Sequence, residues 1–108
     1  MSETGLTARF ESSGSRLRVT GEIGFDDEAA FTEALKKLFA EQEPPYTVNL
    51  TKVTFMSSSC VRIVAAAIVA AGKETPHVRV EAKKKILRLF ELAGIDKIGE
   101  LELVEEEG

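Results

Sequence analysis

Apolar residues recur along this chain with two different periods, which separate predicted strands from predicted helices. Every second residue is apolar over 6–11 and again over 16–20, as expected for strands with one buried face. The segment 12–15 between them consists of Ser and Gly and is typical of a turn, so the pattern predicts a β-hairpin. Apolar residues then recur every three or four positions from Asp26, the predicted N-cap, towards the prolines at 44–45, which indicates an amphipathic helix.

The second half of the chain alternates predicted strands with predicted helices. In order, these are a strand over 46–55, an apolar helix over 61–71 opened by serines at 57–59 and followed by Gly72, a strand over 78–80 after Thr75-Pro76, a helix over 83–93 followed by Gly94, and a last strand over 101–104. The order ββαβαβα(β) predicts an α/β fold. We expect a mixed sheet of four to five strands, some of them parallel, with helices packed on it.

Composition and charge fit one globular domain. The residues are 44% hydrophobic and 30% charged, a balance that supplies enough apolar surface for a core and argues against disorder. We therefore predict a single domain over 1–108, with its core over about 6–104 and an acidic tail at 105–108. The net charge of −4 does not favour nonspecific binding to nucleic acid or to anionic lipid.

No feature of the sequence predicts export or membrane insertion. The longest apolar run, 61–71, is shorter than the ~20 residues that cross a bilayer, and it contains Arg62. The first residues lack the pattern of a signal peptide, and Cys60 has no second cysteine for an internal disulfide. These observations predict a cytoplasmic protein.

Three consecutive serines, Ser57, Ser58 and Ser59, lie between the third strand and the most apolar helix. Serine is a favoured N-cap because its hydroxyl accepts a hydrogen bond from an unpaired amide of the first helical turn. The same helix end carries a partial positive charge, so a hydroxyl there is also well placed to carry a phosphate. Spacing alone favours simple capping and does not say which serine caps the helix.

Three short motifs occur in a fixed order along the chain. Gly-Glu-Ile stands at 21–23, residues 55–61 read Phe-Met-Ser-Ser-Ser-Cys-Val, and residues 89–96 read Leu-Phe-Glu-Leu-Ala-Gly-Ile-Asp. This set resembles the STAS domain family, in particular the bacterial anti-sigma factor antagonists, whose central motif is roughly apolar-Met-Asp-Ser-Ser-Gly-apolar. The resemblance covers about Thr7 to Val104 and implies a small, single STAS-like domain.

The resemblance also implies a function and a site. In the family, the first Ser or Thr of the central motif is phosphorylated by a partner anti-sigma kinase; Ser58 matches that residue, and Ser59 is the second choice. The unphosphorylated protein would regulate transcription by binding its anti-sigma factor, a serine kinase-like protein, which then releases a sigma factor. Phosphorylation would break the complex. The implied partner-binding residues are Gly21, Glu22, Ile23, Gly24, Ser57, Ser58, Ser59, Cys60 and Arg62.

The chain departs from the family pattern at four positions. Ser57 replaces the motif's Asp, Cys60 replaces its Gly, Asn49 replaces an acid in the preceding strand, and Gly24 stands where an Asp often occurs. Losing carboxylates changes the charge that a kinase would meet. The alternative function is a STAS subunit that is not phosphorylated, either a stressosome-like scaffold or an accessory subunit of an ABC transporter.

Two further features have competing interpretations. Cys60 near a helix start fits either a reactive thiol or a buried small residue, and the second is favoured because no second Cys is present and His77, the only His, is not near it in sequence. The basic run 83–85 with Arg88 fits either contacts to phosphates or a solvated face that balances nearby glutamates, Glu81 among them. The acidic total charge favours the solvated face.

The sequence contains no catalytic or metal-binding pattern. It has no glycine-rich phosphate loop and no metal-ligand spacing, and its only imidazole, His77, does not lie near a nucleophile. We therefore expect a non-catalytic binding module without a cofactor or a metal, and without a nucleic-acid partner. The oligomeric state is not indicated.

Overall fold

The computed structural model of the chain describes residues 8–43, 45–70, 77–94 and 101–105. Its elements are β1 (Ala8–Ser13), β2 (Arg16–Ile23), a short 3-10 turn (Phe25–Asp27), α1 (Glu28–Glu41), β3 (Tyr46–Met56), α2 (Ser58–Ala70), β4 (Val78–Ala82), α3 (Lys84–Leu92) and β5 (Leu101–Glu105). The predicted order of elements is confirmed, including the last strand. The predicted Gly72 and Thr75-Pro76 helix stops lie outside the described residues.

The five strands lie in the sheet in the same order as in the chain. β1 is antiparallel to β2, as expected for a hairpin, while β2, β3, β4 and β5 are parallel to their neighbours. Crossovers between adjacent parallel strands are right-handed, so α1, α2 and α3 lie on one face of the sheet. In agreement, α1 contacts α2, and α2 contacts α3.

The core lies between this helical layer and the sheet. Its fully buried apolar side chains include Leu17, Val19 and Ile23 of β2, Phe31 and Leu35 of α1, Val48 and Leu50 of β3, Val64 of α2, Val78 and Val80 of β4, and Phe90 of α3. On each helix the buried residues form one stripe that faces the sheet, and on α1 this stripe has the predicted three- to four-residue spacing.

The first helix begins later than the sequence predicts. Asp26 is exposed in the 3-10 turn, and α1 starts at Glu28. The aspartate that holds this turn is Asp27, whose Oδ2 accepts a hydrogen bond from the Gly24 N–H at 2.9 Å. The Asp27 N–H in turn donates to the Gly24 carbonyl at 3.0 Å. Asp26 is therefore not the N-cap.

Two irregularities in β3 change which of its residues face the core. β3 advances three residues from Asn49 while β2 advances two, and Thr54 is an extra residue between the pairs Gly21–Val53 and Glu22–Phe55. Each extra residue reverses the inward–outward alternation that follows it. The two reversals cancel, so Val53 is buried but Phe55 is exposed, although the sequence pattern groups both as apolar positions of the strand.

Candidate functional site

Ser57 is the serine that caps α2. It is the last residue before the helix, and its Oγ accepts a hydrogen bond from the Cys60 N–H at 3.4 Å. The Cys60 N–H also lies 3.0 Å from the Ser57 carbonyl. A side-chain oxygen that accepts from the third helical amide is the usual geometry of a serine N-cap. Of the three serines, Ser57 is therefore the N-cap of α2, which the spacing alone does not show.

The hydroxyl of Ser57 also connects the starts of two helices. It lies 3.4 Å from Oε2 of Glu28, the first residue of α1, and 3.2 Å from Sγ of Cys60. One hydroxyl proton serves both acceptors, so the two contacts share it. Glu28 therefore brings a carboxylate from another element to the position where the family motif carries its own Asp.

Ser58 and Ser59 form the first turn of α2 and are exposed. Neither hydroxyl has a hydrogen-bond partner within the described part of the chain. Arg62 lies four residues after Ser58, is exposed, and has no ion-pair partner among the described residues. Side chains four apart on a helix are neighbours, so a charge on Ser58 would be felt by Arg62.

Cys60 is a structural residue of the junction. Its side chain is fully buried, and its thiol donates to the Ile23 carbonyl at 3.7 Å. Burial raises the pKa of the Cys60 thiol, the hydrogen bond with Ser57 offsets part of this effect, and the negative charge of Glu28 adds to it. The protonated thiol is therefore favoured, which supports a buried small residue and argues against a reactive thiolate.

The segment 21–24 lies beside the serines because β2 and β3 are neighbours. Ile23 pairs with Met56, and its carbonyl accepts a hydrogen bond from the Ser57 N–H at 3.2 Å. Gly21 has a φ of 97°, a conformation that favours glycine, next to the irregular pairing. The two segments that the sequence predicts to form one surface are thus brought together.

The side chains in this predicted surface differ in accessibility. Glu22, Ser58, Ser59 and Arg62 are exposed, whereas Ile23 and Cys60 are fully buried. Because buried side chains cannot touch a partner, Ile23 and Cys60 hold the junction in place and offer no contact area. Gly21, Gly24 and Ser57 are partly exposed.

Asp27 ties the site to the start of β1. Its carboxylate is fully buried and accepts hydrogen bonds from the N–H groups of Gly24 at 2.9 Å and Ala8 at 3.2 Å. A buried carboxylate needs such donors, because removing a charge from water is costly unless the charge is hydrogen-bonded. Asp27 therefore fixes the path of the chain between β2 and α1.

Two exposed aromatic residues near the serines do not belong to the surface that the sequence predicts. Phe25, in the 3-10 turn, is 83% exposed, and Phe55, near the end of β3, is 53% exposed. Phe25 carries a weak sequence signal, because it is an apolar residue between Gly24 and two aspartates. Phe55 is out of phase with the apolar alternation at the start of β3, a signal for exposure that the apolar Val53 obscures.

The exposed charges around the junction differ in sign from one side to the other. Glu22 and Asp26 are exposed at the end of β2 and in the turn that follows, and Glu28 is half-buried beside Ser57. Arg62 is exposed on α2. The entry to α1 is therefore the acidic side of the site, and the first turns of α2 are its basic side.

The basic run 83–85 and Arg88 are exposed around the start of α3. The expectation that Glu81 balances them is wrong, because Glu81 is buried and lies 3.1 Å from both Arg16 and Arg79. The described residues include no group of three or more potential metal ligands. Over the same ranges, no helix is long and apolar enough to cross a membrane.

Comparison with known proteins agrees with this architecture. The family model described as "Mlab, STAS domain" matches residues 6–105. The crystal structure of an anti-sigma factor antagonist from Mycobacterium paratuberculosis superposes with a TM-score of 0.71 at 30% identity, over 89% of this chain and 84% of that chain. Among curated proteins, no match is found.

These matches confirm the predicted α/β fold, a five-stranded mixed sheet with three helices. This fold, as found in the anti-sigma antagonist family, is a regulatory one and not an enzymatic one. Because the family model spans nearly the whole sequence, the chain belongs to the STAS domain family.

Proposed function

We propose that this protein is an anti-sigma factor antagonist that binds its partner through the surface around Ser58 and releases it when Ser58 is phosphorylated. The observation that carries the proposal is the exposed, unengaged hydroxyl of Ser58 in the first turn of α2. The similarity to a solved anti-sigma factor antagonist supports the choice of partner. The protein would act in the cytoplasm of a bacterium.

The structure favours Ser58 and Ser59 over Ser57 as phosphate acceptors. The Ser57 hydroxyl is engaged with Glu28, Cys60 and the Cys60 amide, so modifying it would remove the helix cap. Ser58 and Ser59 can be modified without loss of a hydrogen bond to the described residues. Ser58 is preferred because it is the residue that matches the acceptor of the family motif.

A phosphate on Ser58 would change the surface electrostatically, without refolding. It adds about −1.5 to −2 charges at neutral pH. Arg62, one turn further along the same helix face, would pair with the new group and no longer be available to a partner. A partner acid opposite Arg62 would then face the phosphate and be repelled. The switch therefore needs only side-chain movements at Ser58 and Arg62.

The test is binding and phosphorylation with purified anti-sigma factors of the source organism, assayed one at a time. We expect one of them to bind the wild-type protein and, with ATP, to add one phosphate that intact-mass analysis detects. Ser58→Ala should bind and remain unmodified, and Ser58→Asp should bind at least tenfold more weakly. Ser59→Ala is the matched control and should still be phosphorylated. Uptake of phosphate by Ser58→Ala would disprove the assignment.

The non-phosphorylated STAS subunit is the alternative, and one observation favours it. The carboxylate that accepts a hydrogen bond from Ser57 comes from Glu28, so a kinase would meet a different pattern from that of the family motif. Under this alternative, a stable partner binds regardless of ATP, and Ser58→Asp leaves its affinity unchanged. Genes for an ABC transporter beside this gene would point to the transporter subunit.

A further inference from the structure

We infer that Phe25 and Phe55 are the apolar anchors of the partner interface, and that they fit a partner with an apolar pocket rimmed by Lys or Arg. This inference rests on the function proposed above, because it concerns the same partner. Neither phenylalanine belongs to the surface that the sequence predicts. Their exposed fractions, 83% and 53%, are large for aromatic side chains of a small domain.

The distribution of phenylalanines in the chain supports a role for these two. Six phenylalanines are present. Phe31 and Phe90 are fully buried, and Phe10 and Phe39 are partly buried against the core. The two that are exposed both lie next to the Ser58 junction. Exposed aromatic residues of this kind are typical of protein interfaces, which are enriched in Phe, Tyr and Trp.

The pairing of β2 with β3 places both phenylalanines at the end of the sheet where these two strands terminate. Phe55 pairs with Glu22 near the carboxyl ends of β2 and β3. Phe25 follows the end of β2 by two residues, and Ser58 follows Phe55 by three. Both aromatic residues therefore lie at the same end of the sheet as Ser58.

The charges next to the phenylalanines indicate what kind of partner binds there. Glu22 and Asp26 are exposed beside Phe55 and Phe25, respectively. A two-fold contact that joined the phenylalanines of two copies would also bring these acids together, and an anionic membrane or a nucleic acid would be repelled by the same acids. A protein with an apolar pocket and a basic rim is complementary in polarity and charge to the phenylalanines and to the acids beside them. On the other side of the site, Arg62 would form an ion pair with an acidic residue of that partner.

The first experiment measures the affinity of alanine variants for the anti-sigma factor that binds the wild-type protein. Phe25→Ala and Phe55→Ala should each bind at least tenfold more weakly, mainly through faster dissociation. Leu92→Ala is the matched control, because Leu92 is 81% exposed but lies at the end of α3. We expect its affinity to stay within twofold of wild type. Circular dichroism and thermal melts would establish that all three variants fold.

The second experiment tests the basic rim through the salt dependence of association. Glu22→Gln and Asp26→Asn should reduce the decrease in association rate between low and high NaCl, whereas the phenylalanine variants should leave that slope unchanged. If both phenylalanine variants bind within twofold of wild type, the inference is wrong while the proposed function stands. If no anti-sigma factor binds the wild-type protein, the proposed function fails and this inference fails with it. Loss of self-association in Phe55→Ala, with no loss of partner binding, would assign the anchors to a second copy instead.

Discussion

The side-chain amide of Asn49 donates a hydrogen bond to Oε1 of Glu81 at 2.9 Å, across the neighbouring strands β3 and β4. The same carboxylate lies 3.1 Å from Arg16 and from Arg79. Both Asn49 and Glu81 are buried. An aspartate at position 49 would place two carboxylates in contact, so this pairing explains why the chain carries Asn where the family commonly has an acid.

The Asn49–Glu81 contact predicts the effect of restoring the family residue. Asn49→Asp removes a hydrogen-bond donor and adds a like charge at a buried position, so we expect a loss of about 1–3 kcal/mol in the free energy of unfolding. Urea denaturation at pH 7 measures this loss.

A double variant separates repulsion from other effects of that substitution. With Glu81→Gln added, the carboxylate at 49 faces an amide that can donate to it, and Arg16 remains nearby. The double variant should therefore be more stable than the sum of the two single changes predicts, by about 1 kcal/mol or more, as for other coupled neighbours. Additive losses would show that the two side chains do not interact in solution.

The cap at the start of α2 predicts unequal roles for neighbouring serines. Ser57→Ala removes the acceptor of the Cys60 N–H and the hydrogen bond to Glu28, so it should destabilise the fold by about 1 kcal/mol. Ser59→Ala is the control, because its hydroxyl is exposed and has no hydrogen-bond partner in the described ranges. It should change stability by less than about 0.5 kcal/mol. Equal losses in the two variants would contradict the assignment of Ser57 as the cap.

The buried carboxylate of Asp27 predicts that replacing it destabilises the protein more than replacing its exposed neighbour Asp26. Asp27→Ala leaves the N–H groups of Gly24 and Ala8 without their acceptor and should cost about 3 kcal/mol. Asp26→Ala, at the adjacent exposed position, should cost less than about 0.5 kcal/mol. Chemical denaturation of the two variants side by side tests this; if Asp26→Ala costs more, the turn is not held as described.

The raised pKa of Cys60 predicts a loss of stability in alkaline solution. Above the ordinary thiol value of 9.0, the unfolded chain releases the thiol proton while the folded chain retains it, so the stability provided by the buried thiol is lost as pH rises from about 9. Cys60→Ala removes this dependence. Its unfolding free energy should fall less steeply than that of the wild type over the same pH range, even if it is lower at pH 7.

Tyr46 provides the comparison for the pH experiment. Burial, with a smaller effect from the charge of Glu43, raises the pKa of Tyr46 above its ordinary value of 10.0. The stability that the protonated Tyr46 provides is therefore lost at higher pH than that provided by Cys60. Wild type and Cys60→Ala both contain Tyr46, so both show this loss. Parallel stability curves for wild type and Cys60→Ala between about pH 8 and 10 would contradict the assignment to the thiol.

The sequence predicts those parts of the fold that depend on hydrophobic periodicity. The stripe of Phe31, Leu35 and Leu38 is buried on α1 as its spacing indicates, and the strands follow their alternation wherever pairing is regular. Alternation fails between Leu50 and Thr54, because β3 contains two extra residues that nothing in the composition indicates and that are visible only in its pairing with β2. The second extra residue cancels the effect of the first, so Met56 is buried and its neighbour Phe55 is exposed.

The sequence predicts where the candidate site lies, but it does not predict which of its side chains are accessible. The motifs place 21–24 and 57–62 together, and the bond from the Ser57 N–H to the Ile23 carbonyl joins these segments. Burial of Ile23 and Cys60 could not be predicted from the motifs, because it depends on the packing of the helices against the sheet. The approach of Glu28 to Ser57 likewise depends on contacts between residues far apart in sequence.

The agreement between strand order in the sheet and order along the chain also affects how the protein can be made. Each strand pairs with the one synthesised just before it, so no strand has to enter between two that are already joined. Pairings between consecutive segments keep loop closure local and favour rapid folding. The sheet can therefore grow from β1 towards β5 while the ribosome is still translating the rest of the chain.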